Sequence, residues 1–240
     1  MITEENFIDF KCPYCGEPVS FPAESAGFAQ ACPSCTQSLI VPEDGSEVGR
    51  QIPLPITTAR LVIRRLAGGD WKDLLELMSD EEFFRYMDGV PLDEDGILHW
   101  LESDAHVKLT TPDQTLYLGI EVQDGSKLIG YMSLNFPDPH RLQATFSIGL
   151  NRKFQRQGFA HEAVGALLNF CFKELKLHRV AAWSDGRNTA GSRLLEKAGL
   201  RREGTFLKHR LLHGEWADSI WYALLGEEYC KDGSASPQAG

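Results

Sequence analysis

Apolar and polar residues alternate with two different periods along this 240-residue chain. In residues 158–175, apolar side chains recur every three or four positions and form one stripe, which predicts an amphipathic helix packed on a core. The same period predicts helices over residues 70–78, 93–101 and 189–197. Short runs rich in β-branched and aromatic residues predict strands over residues 61–66, 115–122, 127–136, 143–150, 180–183, 204–212 and 216–224.

Residues 1–42 contain an internal repeat with an offset of 20 positions. Cys12 and Cys15 recur as Cys32 and Cys35, and each Cys-Pro-x-Cys turn precedes a short alternating segment that ends at proline. The spacing C-x2-C-x16-C-x2-C is typical of a zinc site. Each turn presents two thiolates to one tetrahedral ion, and four thiolates close the coordination shell. The pattern therefore predicts a structural zinc ribbon.

Zinc is favoured because about forty residues bury too little apolar surface to fold alone. Two disulfides, or a ribbon that has lost its metal, are the alternatives. Residues 1–50 carry eight acidic and two basic side chains, which disfavours contact with nucleic acid. A protein partner, docking onto the rest of the chain and a purely stabilising module are the remaining roles for the ribbon.

Charge and composition restrict the class of protein further. The net charge is −10, and 42% of the residues are hydrophobic. No segment approaches the roughly 18 apolar residues of a membrane span, and the acidic N-terminus lacks the features of a signal peptide. We predict a cytoplasmic protein with reduced thiols, which argues against the disulfide alternative.

The domain limits follow from glycines and prolines, which interrupt helices and strands. Residues 43–57 lack periodicity and contain two glycines and two prolines, which predicts a linker. A second domain is expected over residues 58–229, and residues 230–240 are expected to form a disordered tail.

The segment between the strand at residues 143–150 and the helix that begins near Gly158 favours anion binding. A helix N-terminus offers free backbone N–H groups and the positive end of a dipole. Gly158 allows close approach of a pyrophosphate, and small Ala160 keeps the first turn clear. Arg152, Lys153 and Arg156 lie in the same segment of an otherwise acidic protein.

The segment Gln155-Arg156-Gln157-Gly158-Phe159-Ala160 resembles the signature of GNAT acetyltransferases, Q/R-x-x-G-x-G/A. The segment from Asn188 to Leu200 and the Thr58-Ala59-Arg60-Leu61 run resemble the RimJ/RimL-like branch of that family. The resemblance implies an α+β fold with a mixed, mostly antiparallel sheet flanked by helices. It also implies that acetyl-CoA binds at residues 155–161, His161 included, at Asn188, and along the backbone of Ile148, Gly149 and Leu150.

The family's reaction is the transfer of an acetyl group to an amine, and the chain departs from the family at two catalytic positions. Thr145 stands where relatives often carry a glutamate, and Gly191 stands where they carry a serine. Ser192, Glu121 and His140 are substitute candidates for the acid and base. We expect an N-acetyltransferase acting on a primary amine, possible acceptors being protein N-terminal or small-molecule α-amines. The alternative is a protein that senses acyl-CoA and contacts a partner through the ribbon.

Overall fold

The structure is a computed structural model that describes residues 7–12, 15–26, 29–36, 38–42, 54–105, 115–137 and 142–231. In the N-terminal part, strand β1 (Phe7–Lys11) pairs with β2 (Pro18–Pro22), and β3 (Ala29–Ala31) pairs with β4 (Ser38–Ile40). Both pairs are antiparallel, and buried side chains of the two pairs form one small cluster with the cysteines. The two sequence repeats thus become two similar hairpins.

The rest of the chain forms an eight-stranded sheet in the order β11-β12-β10-β9-β8-β7-β6-β5. Its strands are β5 (Ile56–Thr57), β6 (Leu61–Arg65), β7 (Thr115–Val122), β8 (Lys127–Asn135), β9 (Gln143–Leu150), β10 (Arg179–Asp185), β11 (Arg201–Leu212) and β12 (Glu215–Leu225). Every neighbouring pair is antiparallel except β9 and β10, which are parallel. The predicted mixed, mostly antiparallel sheet is confirmed.

Six helices accompany the sheet in the described residues: α1 (Trp71–Met78), α2 (Glu81–Phe84), α3 (Glu94–Ala105), α4 (Phe159–Asn169), α5 (Thr189–Lys197) and α6 (Gly226–Lys231). A π-helical turn, Phe170–Glu174, continues α4, so the long helix predicted over residues 158–175 is present in two segments. No helix in the described part of the chain is both long and apolar enough to cross a membrane.

Two boundaries differ from the sequence prediction. Strand β5 pairs with β6, so the last two residues of the predicted linker belong to the sheet. Helix α6 extends to Lys231, two residues into the predicted tail. Its first turn explains the extension: the Leu225 N–H donates to the Glu228 carboxylate at 2.9 Å, which caps a helix too short to show a clear period.

The sheet separates two hydrophobic clusters. Buried residues of α4 and α5 pack with Phe146 and Tyr222 in the larger cluster, whereas α1 and α3 pack with Leu66 and Leu128 in the smaller one. Alternate residues of a strand face opposite sides, so β8 contributes Met132 to the first cluster and Tyr131 to the second. Both faces of the central strands are therefore covered by helices.

The close pairing of β8 with β9 is tested at Gly130. A Cβ atom there would lie 2.3 Å from the Gly149 carbonyl oxygen, which is backbone that cannot move aside. We predict that Gly130→Ala lowers the free energy of unfolding by about 1–3 kcal/mol, measured by urea denaturation. Gly165→Ala is the matched control, because a Cβ in this helical position meets nothing within 4 Å. The control should be neutral or stabilised by up to about 1 kcal/mol, and equal destabilisation of both variants would contradict the packing.

Candidate active site

The two parallel strands part after a short stretch of pairing. Strands β9 and β10 pair only at Gln143 with Arg179, Ala144 with Val180, and Thr145 with Ala181. Beyond Thr145, β9 keeps its antiparallel partner β8 on one side and has no described strand on the other. Residues 146–150 therefore present one backbone edge to an open cleft, at the place where the resemblance puts the arm of CoA.

Side chains from both strands and from two helical segments line the cleft. They are Phe146, Ser147 and Ile148 of β9, Ala182, Trp183, Ser184 and Asp185 of β10, Asn188, Gly191, Leu194 and Leu195 at or in α5, and Tyr86 and Met87 after α2. The segment after α2 is fastened to the β11–β12 hairpin, because Asp88 pairs with Arg210 and the His213 ring donates to the Phe84 carbonyl. The segment that follows α2 therefore forms a further side of the cleft.

Of the predicted β9 residues, Ile148 lines the cleft directly. Gly149 lies beneath Phe83, where a Cβ atom would approach the ring to 2.4 Å, and its carbonyl oxygen is directed at Gly130 of β8. Leu150 is buried, and its carbonyl accepts from Gln155 Nε2 at 3.0 Å. Main-chain groups alternate in direction along a strand, so Ile148 and the Leu150 N–H face the free edge of β9, whereas Gly149 faces β8.

The predicted pyrophosphate loop begins and ends with backbone conformations that suit an anion site. Asn151 accepts from the Lys153 N–H at 3.0 Å and caps a short 3-10 turn. Arg156 and Gly158 have φ values of 59° and 85°, and α4 starts directly after Gly158. The first amides of α4 have no acceptor within the helix. Exposed backbone at residues 155–158 thus leads into the positive end of the helix dipole.

The side chains of this loop are used mainly to hold it. Gln157 Nε2 donates to the Lys153 carbonyl at 2.8 Å. Phe159 is buried in the larger cluster, and Ala160 packs against its edge. His161 is half-buried, and its Nδ1 has no hydrogen-bond partner in the described residues. A contact of Phe159 with a cofactor would therefore use its backbone.

An ion pair fixes the first turn of α4. Glu162 accepts from Arg60 Nε at 2.6 Å and from the Thr58 hydroxyl at 2.6 Å, and Arg60 Nη1 donates to the Gln157 carbonyl at 3.1 Å. Burial would raise the pKa of Glu162, but the donors Thr58 and Arg60 hold it below its usual value. Glu162 is therefore ionised, and its charge beside the anion site is compensated by Arg60. Sequence reasoning missed this pair because its partners are a hundred residues apart.

The basic residues of the loop are partly engaged by carboxylates. Lys153 Nζ lies 2.7 Å from Glu76, and Arg152 lies 3.8 Å from Asp80. Lys153, Lys127 and Asn151 donate to Glu76 and lower its pKa to about 2. Glu76 thus anchors the start of the loop to α1. Backbone amides and the helix dipole remain the main features for binding phosphate.

The predicted acid and base candidates do not meet in the cleft. Glu121 lies on β7, two strands away from β9, and is paired with Arg64 at 2.6 Å. Ser192 lies in the first turn of α5 but does not line the cleft, whereas Gly191 does. Thr145 is in the last paired row, where the strands still touch. His140 lies outside the described residues.

Asn188 lines the cleft and is the N-cap residue of α5. Its Oδ1 accepts from the Gly191 N–H at 2.9 Å. The cleft also contains Ser184, which is 6% exposed, and Asp185. Sequence reasoning missed both, although they directly follow the strand predicted over residues 180–183.

The four N-terminal cysteines lie together. Cys12 and Cys35 have their sulfurs 3.8 Å apart, as do Cys15 and Cys32, and all four sulfurs lie within 4.8 Å of one another. Burial would raise the pKa of Cys32, but the N–H groups of Cys35 and Ser34 bring it to about 7. These four residues form a cluster that could hold a metal ion.

Splayed parallel strands, followed by a loop that leads into a helix N-terminus, form an arrangement suited to acyl-CoA. A profile of the family described as "Acetyltransferase (GNAT) domain" matches residues 60–201. The chain belongs to this family, and it is an N-acetyltransferase at the level that the family defines. Acetyl-CoA dependence is supported at the same level.

Similar proteins agree with this assignment. The uncharacterized N-acetyltransferase YnaD of Bacillus subtilis (strain 168) is 34% identical over 178 residues, covering 72% of this chain and 98% of YnaD. The ribosomal protein uS5-alanine N-acetyltransferase of Escherichia coli (strain K12) is 28% identical over 113 residues, which are 45% of this chain and 56% of that protein.

Solved structures show the same fold. The acetyltransferase (GNAT family) from Bacillus anthracis has a TM-score of 0.66 at 30% identity, covering 73% of this chain and all of that one. The spermidine N-acetyltransferase from Vibrio cholerae, in complex with CoA and spermine, has a TM-score of 0.64 at 21% identity, with 72% and 99% covered. The second likeness concerns the fold alone.

The anion site is tested at Gly158. We predict that Gly158→Asp weakens acetyl-CoA binding by several kcal/mol in calorimetry, because a carboxylate would enter the phosphate position at the helix N-terminus. Gly199→Asp is the control: Gly199 also has a positive φ, 93°, but follows the C-terminal end of α5. Both variants carry similar backbone strain, so equal acetyl-CoA affinity in the two would show that the site is misplaced.

Proposed function

We propose that the protein transfers the acetyl group of acetyl-CoA to a primary α-amine, either a peptide N-terminus or a small molecule. The observation that supports this acceptor is the set of groups around the cleft. Among the described residues that line it, the only carboxylate is Asp185. Its side chain is fully buried and paired with Arg187 at 2.9 Å.

Asp185 is a poor base for this reaction. Burial would raise its pKa, but the Arg187 side chain and N–H hold the pKa below its usual value. A proton taken from an ammonium group would have to displace that ion pair. An acceptor that is already partly neutral does not need a strong base in the cleft.

The proposed reaction follows from the placement of main-chain groups. The pyrophosphate binds at residues 155–161, and the arm of CoA lies along the free edge of β9. The neutral amine attacks the thioester carbonyl, and a β9 N–H near Ile148 stabilises the oxyanion. The C–S bond then breaks, the amide forms, and the proton lost by nitrogen balances the free thiol of CoA.

We also propose that Cys12, Cys15, Cys32 and Cys35 bind one structural zinc ion. Four sulfurs at about 2.3 Å from one tetrahedral centre are about 3.8 Å apart, which agrees with the two 3.8 Å separations. A disulfide needs about 2.05 Å, so these sulfurs suit a metal better. The two cysteine turns also have the same backbone geometry. The N–H groups of Gly16 and Thr36 donate to the carbonyls of Cys12 and Cys32, at 2.9 Å each. The acidic balance of the module favours a protein partner for it.

The zinc proposal predicts one zinc ion per chain by elemental analysis. Cys32→Ser should lose the zinc, because removing one thiolate opens a closed shell. Cys230→Ser, at an exposed cysteine outside the cluster, should keep it. Fresh wild-type protein that contains no zinc and has four alkylatable thiols in residues 12–35 would contradict the proposal.

The acceptor proposal predicts faster turnover on an α-amine than on a lysine side chain. Near pH 7.5 about a third of α-amines are neutral, against about a thousandth of lysine side chains. The measurement is free-thiol release with two matched peptides, one with a free N-terminus and no lysine, the other N-terminally blocked with one lysine. Faster turnover on the blocked peptide would contradict the α-amine acceptor. Binding of acetyl-CoA with no thiol release on any amine would favour the acyl-CoA sensor instead.

A further inference from the structure

A buried serine hydroxyl lines the cleft opposite the free edge of β9. Ser184 is on β10, beyond the last residue that pairs with β9, and is 6% exposed. Continuing the parallel register from Ala181 and Thr145 places Ser184 beside Ile148. The arm of CoA would run along β9 at this level, between the pyrophosphate loop and the closed end of the cleft.

The hydroxyl of Ser184 is only weakly engaged. Its hydrogen bonds go to the carbonyls of Asp185 and Asn188, each at 3.4 Å. Good O–H···O hydrogen bonds are 2.5–3.0 Å long. A buried donor with two long contacts can turn to a better acceptor, and a developing thiolate is a charged one.

Gly191 provides the room that this hydroxyl occupies. A Cβ atom at position 191 would lie 2.9 Å from Ser184 Oγ and 2.8 Å from Asn188 Nδ2. The Cβ atom of any other residue at position 191 would clash with the hydroxyl. The glycine on the helix and the serine on the strand are therefore spatially complementary, and the hydroxyl of this part of the cleft comes from β10.

We infer that Ser184 donates a hydrogen bond to the sulfur of CoA as the thioester C–S bond breaks. This rests on the proposed acetyl transfer. The electron pair of the C–S bond goes to sulfur, and Ser184 stabilises that charge without giving up its proton. The proton that the thiol finally carries is the one lost by the amine nitrogen, passed through water. Ser184 is thereby a catalytic residue.

The first test needs CoA but no acceptor. The thiol of bound CoA is titrated by its ultraviolet thiolate absorbance, with the desulfo-CoA complex as the blank for the protein's own cysteines. A hydrogen bond to a charged group corresponds to about one to two pKa units. Ser184→Ala should raise the pKa of the bound thiol by that amount, with CoA affinity little changed. An unchanged thiol pKa would overturn the inference, whatever the acceptor proves to be.

The second test separates Ser184 from its neighbour on the helix. With the best acceptor, Ser184→Ala should lower kcat about tenfold to hundredfold, whereas Ser192→Ala should not. Loss of turnover in Ser192→Ala alone would overturn the inference. Absence of turnover in the wild type would contradict the proposed function instead, while the thiol titration still decides the role of Ser184.

A matched pair of double variants guards against a merely structural effect. In the Ser184→Ala background, Gly191→Ser restores a hydroxyl from the helix side, and Gly191→Ala adds the same Cβ without one. Both variants place the same Cβ atom close to Asn188, so a difference in turnover between them reports the effect of the hydroxyl. Turnover should be higher in the Gly191→Ser double variant, and equal turnover in the two would count against the hydrogen bond.

Discussion

The separation of two parallel strands after three residue pairs is the constraint on which the rest of the site depends. A strand inside a sheet normally satisfies its backbone groups on both sides. Here β9 is satisfied by β8 on one side only, from Phe146 to Leu150. An extended ligand with amide groups, such as the arm of CoA, can supply the missing partner. Because of the same separation, residues 182–185 of β10 and the start of α5 line the cleft.

Carboxylates near the loop at residues 151–158 are paired with basic side chains. The protein is acidic overall, and carboxylates of Glu162 and Glu76 lie close to the loop. Arg60 neutralises Glu162, while Lys153 and Lys127 neutralise Glu76. These ion pairs involve side chains and leave the backbone N–H groups at the start of α4 without a carboxylate partner in the described residues. A phosphate bound as we propose would therefore meet the end of α4 rather than the carboxylates that hold the loop.

Local pattern was sufficient for much of the fold. The strands predicted over residues 115–122 and 143–150 and the helix over residues 189–197 match the structure residue for residue, because period and turn signals are local properties. Helix α2, only four residues long, gave no readable period. The partner of Glu121 could not be foreseen either, since Arg64 reaches it across two paired strands. At α5, the turn after Asn188 directs Gly191, and not Ser192, toward the cleft. Spacing alone does not determine that one-residue difference.

Amide hydrogen exchange, with and without CoA, tests the central claim most directly. If the arm of CoA occupies the free edge of β9, exchange should slow at residues 146–150 and at the first amides of α4. Residues 118–122 of β7, which pair with β6 and β8 and lie two strands away from β9, should be unaffected by the ligand. CoA binding that leaves both segments unchanged, or that protects a different part of the chain, would contradict this account.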